Sequence, residues 1–406
     1  MPQRFLDRLL SVLAILGATA LAVQWIVLHA LHTHLPVPWN ALLPGLAIVG
    51  AAFLLSWGAE LAQMDIPQAL ALAILALIAV LPEYAVDIYF AWKAGKDPHY
   101  VAFATANMTG ANRLLIGLGW PTVLFAYWIG SRRREIQLER AQAVEIATLL
   151  VATLYSFVIP LKGTLSWVDT VFFLALFVIY MICASRSDHV EPELAGPAAW
   201  IALWGAPRRR AAMGALFALA GCAIFLAAEP FAEGLLEIGR TWGVEQFLLV
   251  QWLAPLASES PEFLVAILFA LRASAGASLG TLISSKVNQW TLLIGMLPLA
   301  YCISAGHLRP MHLDARQVEE IFLTSAQSLL AVSVLSNFRF ELWEAVTLLV
   351  LFGVQMGVPS QTVRYLFAGL YLALTLILLF GRAERRPTVV SLLRDSWRPS
   401  RRGGIG

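Results

Sequence analysis

The sequence predicts an all-α, polytopic membrane protein made of two inverted five-helix repeats with one extra span at each end. Composition predicts the membrane class, since 59% of the 406 residues are hydrophobic and 13% are charged, whereas soluble domains average roughly 45–50% and 25%. Recurring apolar stretches predict the helices, and a polar motif that occurs twice predicts the repeat. Lipid is therefore the expected solvent for most of the surface.

About twelve apolar stretches are long enough to cross a membrane. A helix rises about 1.5 Å per residue, so about 20 apolar residues cross a hydrocarbon core about 30 Å thick. The first stretch lacks a small-residue cleavage site and is expected to be a mature helix rather than a signal peptide. The predicted spans are residues 9–29, 41–62, 67–92, 101–129, 142–160, 166–184, 211–228, 245–271, 278–303, 317–336, 341–358 and 362–381.

The distribution of Lys and Arg supports this map, because cytoplasmic loops carry a surplus of both residues. With both termini inside, nineteen of the 28 basic residues fall in cytoplasmic segments and seven fall outside, which leaves Arg113 and Lys286 at membrane depth. We therefore expect a multi-pass protein of the cell (inner or plasma) membrane with both termini in the cytoplasm.

The predicted organisation has five parts, and short basic clusters beside spans explain the net charge of +2. We expect contact with the lipid bilayer and no nucleic-acid partner. The three cysteines lie in apolar spans without paired spacing, so neither a disulfide framework nor a zinc site is expected. The parts are an N-terminal extra helix (1–40), the first repeat (41–184), a cytoplasmic linker (185–210), the second repeat (211–358) and a C-terminal extra helix with a basic tail (359–406).

Two Pro-Glu segments resemble each other and predict the internal repeat. The first reads AVLPEYAVD at 79–87, and ANMTGAN follows at 106–112. The second reads ASESPEFLV at 257–265, and GTLISSK follows at 280–286. Because each repeat has an odd number of spans, the second is expected to be inverted relative to the first.

Each Pro-Glu pair places a carboxylate at membrane depth, which costs about 2.5–3.5 kcal/mol on insertion scales unless a partner compensates it. A bound cation would compensate Glu83 and Glu262. Proline lacks an N–H and crowds the carbonyl four residues back, so the carbonyls of Ile78 and Ala257 are expected to be free. Carboxylate, amide and carbonyl oxygens are the ligands of hard cations such as Na⁺ and Ca²⁺.

Further carboxylates lie close to each Pro-Glu pair. Asp87 follows Glu83 by four residues, so it either widens the site from the same helix face or lies near the outer interface beside Lys93. Glu259 precedes Glu262 by three residues. It either shares the site, where two close carboxylates suit a proton-coupled step, or lies in a water-exposed funnel.

Lys286 is an ammonium inside a predicted span, so it should pair with a carboxylate or reach the interface. Glu262 and Glu259 are the expected partners. Lys286 either stands in for one bound cation or forms a structural ion pair at the helix entrance. Arg113 lies one helical step from Asn112 and is expected to face away from the amide side chains.

These residues resemble the sodium/calcium exchanger-like antiporters of the calcium/cation exchanger superfamily. Members carry two inverted five-helix repeats, each with a Thr-Ser-x-Pro-Glu helix followed by a Gly-Asn-x-x-Gly-Ser-Asn-type helix. The resemblance implies that Glu83 and Glu262 are the central acidic ligands. It also implies that Asn107 and Asn112 belong to the first polar motif.

The second repeat departs from the family pattern. Ser258 and Glu259 precede its Pro-Glu pair, and Ser285 is followed by Lys286 where members have asparagine. Gln289 occupies a position that is often a further polar or acidic ligand. A site that loses acidic charge and gains a lysine should hold a divalent ion less well.

The expected function is secondary active cation antiport around a midplane site, resembling sodium/calcium exchange. The candidate transported ions are Na⁺, Ca²⁺ and H⁺, and Na⁺/H⁺ or Ca²⁺/H⁺ exchange is the alternative. A further alternative is a non-transporting membrane protein in which Lys286 locks the former site. The sequence has no His-Glu-x-x-His, Gly-x-Ser-x-Gly or Walker motif, so neither enzymatic activity nor a cofactor is expected.

Overall fold

The computed structural model describes residues 2–62, 64, 80–139, 142–185, 194, 196–358 and 360–381. Residues 67–79 of the third predicted span, much of the first half of the predicted linker and the basic tail lie outside the described residues. The helices are α1 Pro2–Ala30, α2 Trp39–Ala62, α3 Leu81–Ala94, α4 Val101–Leu114, α5 Trp120–Ser131, α6 Ala143–Ser156, α7 Val158–Lys162, α8 Trp167–Ala184, α9 Gly196–Ala202, α10 Ala206–Trp242, α11 Gln246–Ser258, α12 Ser260–Leu271, α13 Ala275–Asn288, α14 Ile294–Ala305, α15 Ala315–Leu335, α16 Leu342–Met356 and α17 Gln361–Gly381.

The described helices confirm an all-α, multi-pass membrane protein. Among the described residues, nine helical segments are long and apolar enough to cross a membrane. Helices α11 and α12 form a tenth if this pair, bent by 54°, is one span. Several helices differ in length from their predicted spans, among them α1, which has 29 residues where 9–29 was predicted. Helix α10 has 37 residues where 211–228 was predicted, because it continues through Pro230 and ends only at Gly243 (φ +69°). Helix α16 has only 15 residues.

The chain forms two compact units, each built from interleaved parts of the sequence. The first unit comprises residues 1–93 and 191–265, and the second comprises residues 94–190 and 266–406. Each unit therefore takes segments from both predicted repeats.

The first unit packs α2 against α1 and α10 through small residues. Gly50 is an example, because a Cβ atom at this position would lie 2.6 Å from the carbonyl oxygen of Ala18. Ala22 and Ala51 are fully buried beside it. Small residues let helix backbones approach closely in lipid, where hydrophobic transfer alone does not drive helices together.

In the second unit, two short antiparallel strand pairs join loops of the two repeats. Strand β1 (Glu135–Gln137) pairs with β4 (Arg339–Glu341), and β2 (Thr164–Leu165) pairs with β3 (Met311–His312). In each pair, the loop between spans three and four of one repeat meets the loop between spans four and five of the other. Paired loops lie on one side of the membrane, so this exchange of loops is the pattern that inverted repeats produce.

The second unit also contains two segments with the same helical architecture. We call residues 101–131 the first polar segment and residues 275–305 the second polar segment. Each consists of a 14-residue α-helix, a five-residue π-helical turn and a 12-residue α-helix. Equivalent residues are 174 positions apart. Single π-helical turns of this kind occur frequently at functional sites.

Candidate cation site

The two Pro-Glu pairs lie in the first turns of helices, not in helix interiors as the sequence analysis assumed. Pro82 and Glu83 are the second and third residues of α3, and Pro261 and Glu262 have the same places in α12. Proline is well tolerated there, because the first N–H groups of a helix have no intrahelical partner. The positive end of the helix dipole favours a carboxylate at the same place.

The bend between α11 and α12 contains the next group of predicted ligands. Ser258 ends α11 and donates a hydrogen bond from its hydroxyl to the carbonyl oxygen of Ala254 at 3.1 Å. Glu259 lies at the bend and is 2% exposed. The carbonyl oxygen of Ala257, expected to be free, accepts a hydrogen bond from the Ser260 hydroxyl at 3.0 Å. The expectation of a free carbonyl was therefore wrong for Ala257, and Ile78 lies outside the described residues.

The carboxylates of the first unit differ in burial. Glu83 is 3% exposed, Asp87 is fully buried one turn later, and Glu262 is half-buried. One carboxylate oxygen of Glu262 is buried without a hydrogen-bond partner among the described residues. Lys93 forms a salt bridge with Glu229 at 3.3 Å. The burial of Asp87 favours the prediction that it shares the face of Glu83 over the prediction of an interfacial residue beside Lys93.

In the first polar segment, Asn107 and Asn112 have different surroundings although both are fully buried. The amide oxygen and nitrogen of Asn107 have no hydrogen-bond partner among the described residues. The amide nitrogen of Asn112 donates to the carbonyl oxygen of Met108 at 2.8 Å. The two amides therefore differ, since that of Asn112 is held by a hydrogen bond within its own helix and that of Asn107 is not held in this way.

The ammonium of Lys286 donates to the amide oxygen of Asn112 at 2.7 Å and lies 3.4 Å from the backbone oxygen of the same residue. It also lies 4.4 Å from the ring centroid of Trp290. Lys286 is 1% exposed. Glu259 and Glu262 belong to the first unit, so their predicted ion pair with Lys286 stays a prediction.

The other predicted ligands of the second polar segment lie beside Lys286 in sequence. Ser285 precedes it and is buried, and Gln289 begins the π-helical turn and is fully buried. Asn112 and Lys286 occupy equivalent positions, each three residues before the π-helical turn of its segment. The side chains of Asn112 and Lys286 are in direct contact, and both residues belong to the second unit.

A buried ion-pair cluster in the second unit escaped the sequence analysis. Arg113 contacts the carboxylate of Glu320 and the amide oxygen of Gln355. Arg364 of α17 binds Glu319 at 2.8 Å and lies 3.6 Å from Glu320. Arg113 therefore faces α15 and α16, as its one-step offset from Asn112 predicted. Its partners could not be found from local spacing, because Glu320 lies more than 200 residues away in sequence.

The fold is that of a multi-pass membrane protein whose described helices carry buried carboxylate and amide groups. The sodium/calcium exchanger protein family matches the chain over residues 37–185 and 213–360. The chain therefore belongs to the sodium/calcium exchanger family. It is a cation antiporter and not an enzyme. None of the curated proteins matches this sequence.

Two sets of solved structures resemble the chain. The crystal structure of the H⁺/Ca²⁺ exchanger CAX is 46% identical in sequence, with a TM-score of 0.91, over 95% of this chain and 97% of that chain. A structure of the sodium-calcium exchanger NCX_Mj, soaked with Na⁺ and Sr²⁺, is 20% identical, with a TM-score of 0.53, over 80% of this chain and 98% of that chain. The second likeness shows the common fold.

Proposed function

We propose that this protein exchanges Ca²⁺ for H⁺ across the cell membrane. The observation that carries the proposal is the 46% identity with an H⁺/Ca²⁺ exchanger over 95% of the chain. The likeness to a sodium-calcium exchanger is far more distant, at 20% identity. Ca²⁺/H⁺ exchange, an alternative in the sequence analysis, thereby takes precedence over Na⁺/Ca²⁺ exchange.

The carboxylates support exchange of these two ions. Glu83 and Glu262 are proposed as the acidic Ca²⁺ ligands, because carboxylate oxygens bind Ca²⁺ and also accept protons. Protons and Ca²⁺ then compete for the same oxygens. After Ca²⁺ leaves, protons bind the carboxylates and neutralise their charge. The site becomes accessible from the other side of the membrane only in this neutralised form, so the two fluxes are coupled.

Other residues are proposed to complete the oxygen ligands or to adjust their charge. Asn107 is the strongest of these, because its buried amide has no hydrogen-bond partner among the described residues. The remaining proposed ligands are Asp87, Ser258, Glu259, Ser285 and Gln289. The extra acidic residues Asp87 and Glu259 offset the loss of divalent affinity that the sequence analysis expected from Lys286.

The proposal is tested by uptake of radioactive Ca²⁺ into proteoliposomes that contain the purified full-length protein. An acidic lumen should accelerate uptake, and an outward Na⁺ gradient at equal pH should leave uptake at the level without a gradient. Uptake driven by Na⁺ and insensitive to pH would instead identify Na⁺/Ca²⁺ exchange. A lack of Ca²⁺ flux under both gradients, with protein shown to be folded and inserted, would contradict Ca²⁺ transport.

The cell (inner or plasma) membrane and a cytoplasmic location of both termini are part of the proposal. They rest on the surplus of basic residues in the predicted cytoplasmic segments. Reporter fusions to the two termini and to the predicted linker should all give cytoplasmic signals. An external signal from the linker would contradict the predicted orientation.

A further inference from the structure

The surroundings of the Lys286 ammonium are those of a bound monovalent cation. An amide oxygen lies 2.7 Å away, a backbone oxygen of the same residue lies 3.4 Å away, and the face of a fully buried tryptophan lies 4.4 Å away. Oxygen dipoles and an aromatic face both attract a desolvated cation. The ammonium of Lys286 is therefore surrounded by groups that also bind free cations.

The amide of Asn112 is fixed in the orientation that holds this charge. Its nitrogen donates to the carbonyl oxygen of Met108 at 2.8 Å, which turns its oxygen toward Lys286. Both atoms of this amide are therefore engaged. Asn107, five residues earlier on the same helix, is the contrasting case, because its amide atoms have no hydrogen-bond partner among the described residues.

The contact joins equivalent positions of the two repeats. Lys286 and Asn112 are 174 residues apart, as are the starts of the two polar segments. The family pattern has asparagine at the position of Lys286. Lys286 therefore stands in the second repeat where the family has an asparagine, and it also binds Asn112, the equivalent asparagine of the first repeat.

We propose that Lys286 determines counter-ion specificity, by occupying with its ammonium a position where Na⁺ would otherwise bind. This inference rests on the proposed Ca²⁺/H⁺ exchange. Na⁺ is excluded because the amide oxygen is engaged and because a second cation would lie beside a fixed positive charge. Protons are not excluded in this way, since they bind carboxylates rather than this amide.

The test compares Na⁺ binding to the purified full-length protein with that of Lys286→Asn, measured with radioactive Na⁺ and by Na⁺-dependent thermal stabilisation. Lys286→Asn should bind Na⁺ at least about tenfold more tightly, since a neighbouring like charge changes the affinity for a cation by a factor of ten or more. In proteoliposomes, an outward Na⁺ gradient should then accelerate Ca²⁺ uptake by the variant and not by the parent protein. Unchanged Na⁺ affinity in folded Lys286→Asn would overturn the proposal.

Two further variants separate the role of the ligand position from a purely structural role. Lys286→Met removes the charge without offering an oxygen, so it should gain less Na⁺ affinity than Lys286→Asn. An equal gain in Lys286→Met would contradict the occupied ligand position. The double variant Asn112→Lys/Lys286→Asn swaps the two residues, so an ammonium again contacts an amide and Na⁺ should again be excluded. Tight Na⁺ binding by this double variant would overturn the proposal.

Folding and the parent activity are controlled separately. Size-exclusion chromatography and thermal unfolding report whether each variant is folded, and Lys286→Gln replaces Lys286→Asn if the shorter residue prevents folding. Equilibrium Na⁺ binding does not depend on Ca²⁺/H⁺ exchange. A parent protein without pH-driven Ca²⁺ uptake therefore refutes the proposed function, whereas unchanged Na⁺ affinity in the variants refutes the role of Lys286.

Discussion

The two polar segments have the same helical architecture but carry different chemistry. Both contain helices of the same lengths and a π-helical turn at the same place. The first presents Asn107 and Asn112 and directs Arg113 toward Glu320, whereas the second presents Ser285, Lys286 and Gln289. The comparison shows that the same backbone architecture can carry different polar side chains at equivalent positions.

The two buried basic residues show the difference most clearly. Arg113 is compensated by the carboxylate of Glu320, so its charge is neutralised within a structural cluster. Lys286 instead donates to the amide oxygen of Asn112 and lies over the ring of Trp290. Arg113 therefore belongs to a buried ion-pair cluster, whereas the role we propose for Lys286 is in ion binding.

The largest expected effect concerns the carboxylates, for which the two repeats should be alike. Glu83→Gln and Glu262→Gln should each reduce Ca²⁺ transport at least about 100-fold, because the amide keeps the shape of the side chain but removes the counter-charge of the cation. Initial rates of Ca²⁺ uptake measure the effect. Membrane insertion should be normal in both variants, and near-normal uptake in either would show that the repeats are not alike in this respect.

The next largest effect concerns stability, because equivalent substitutions in the two polar segments should lower the free energy of unfolding by different amounts. Arg113→Ala removes the charged hydrogen bonds from Arg113 to Glu320 and Gln355, and each such bond contributes about 1.5–3 kcal/mol, so the free energy of unfolding should fall by about 3–5 kcal/mol. The equivalent residue, Val287, is fully buried and apolar, and Val287→Ala should cost only about 0.8 kcal/mol for each carbon removed. Denaturant unfolding in detergent measures both.

The double variant Arg113→Met/Glu320→Gln serves as the control for this ion pair. It removes both charges together, so it should be more stable than Arg113→Ala. Equal losses in Arg113→Ala and Val287→Ala would show that the ion-pair cluster does not distinguish the two polar segments.

A smaller effect is expected at Asn107 and should appear in binding rather than stability. Asn107→Leu removes a buried amide that has no hydrogen-bond partner among the described residues, so thermal stability should be unchanged or higher. Ca²⁺ affinity should fall roughly tenfold, the effect of about 1.4 kcal/mol from one lost oxygen ligand. Calorimetric Ca²⁺ titration measures the affinity. A destabilised variant with unchanged affinity would reassign Asn107 to structure.

The smallest effect on transport should come from labels on the paired strands, which test the inversion of the repeats. Gln137 and Arg339 are opposite each other in β1 and β4, whereas His312 lies in β3. In a protein without native cysteines, Gln137→Cys and Arg339→Cys should react with an impermeant maleimide from one side of the membrane, and His312→Cys from the other. Reaction of all three from one side would contradict inverted repeats.

Much of the fold was predictable because a lipid-facing helix needs a long apolar stretch, and such stretches are visible in the sequence. The Pro-Glu pairs were also visible, but their position in the first turn of a helix was not, because apolar residues both precede and follow each pair in the sequence. The π-helical turns left no signal, since Leu115–Gly119 and Gln289–Leu293 share no residue pattern.

Side-chain partners were harder to predict than helices. Lys286 was expected to pair with a carboxylate because charge complementarity is the strongest general rule for a buried ammonium. Its contact with Asn112 depends on packing between two helices that are distant in sequence, and periodicity within one helix does not report that packing. The Arg113 cluster was missed for the same reason. The hydrogen bond from Ser260 to the carbonyl oxygen of Ala257 is local, and it was missed because the bend between α11 and α12 was not foreseen.

The most direct test of the account is whether Ca²⁺ movement drives protons in the opposite direction. Proteoliposomes loaded with Ca²⁺ and a pH-sensitive dye, diluted into Ca²⁺-free buffer without Na⁺, should show lumenal acidification as Ca²⁺ leaves. An ionophore that clamps the membrane potential should not abolish this signal, because protons and Ca²⁺ compete for the same carboxylates. Ca²⁺ efflux that requires external Na⁺, or that proceeds without a lumenal pH change at clamped potential, would contradict Ca²⁺/H⁺ exchange.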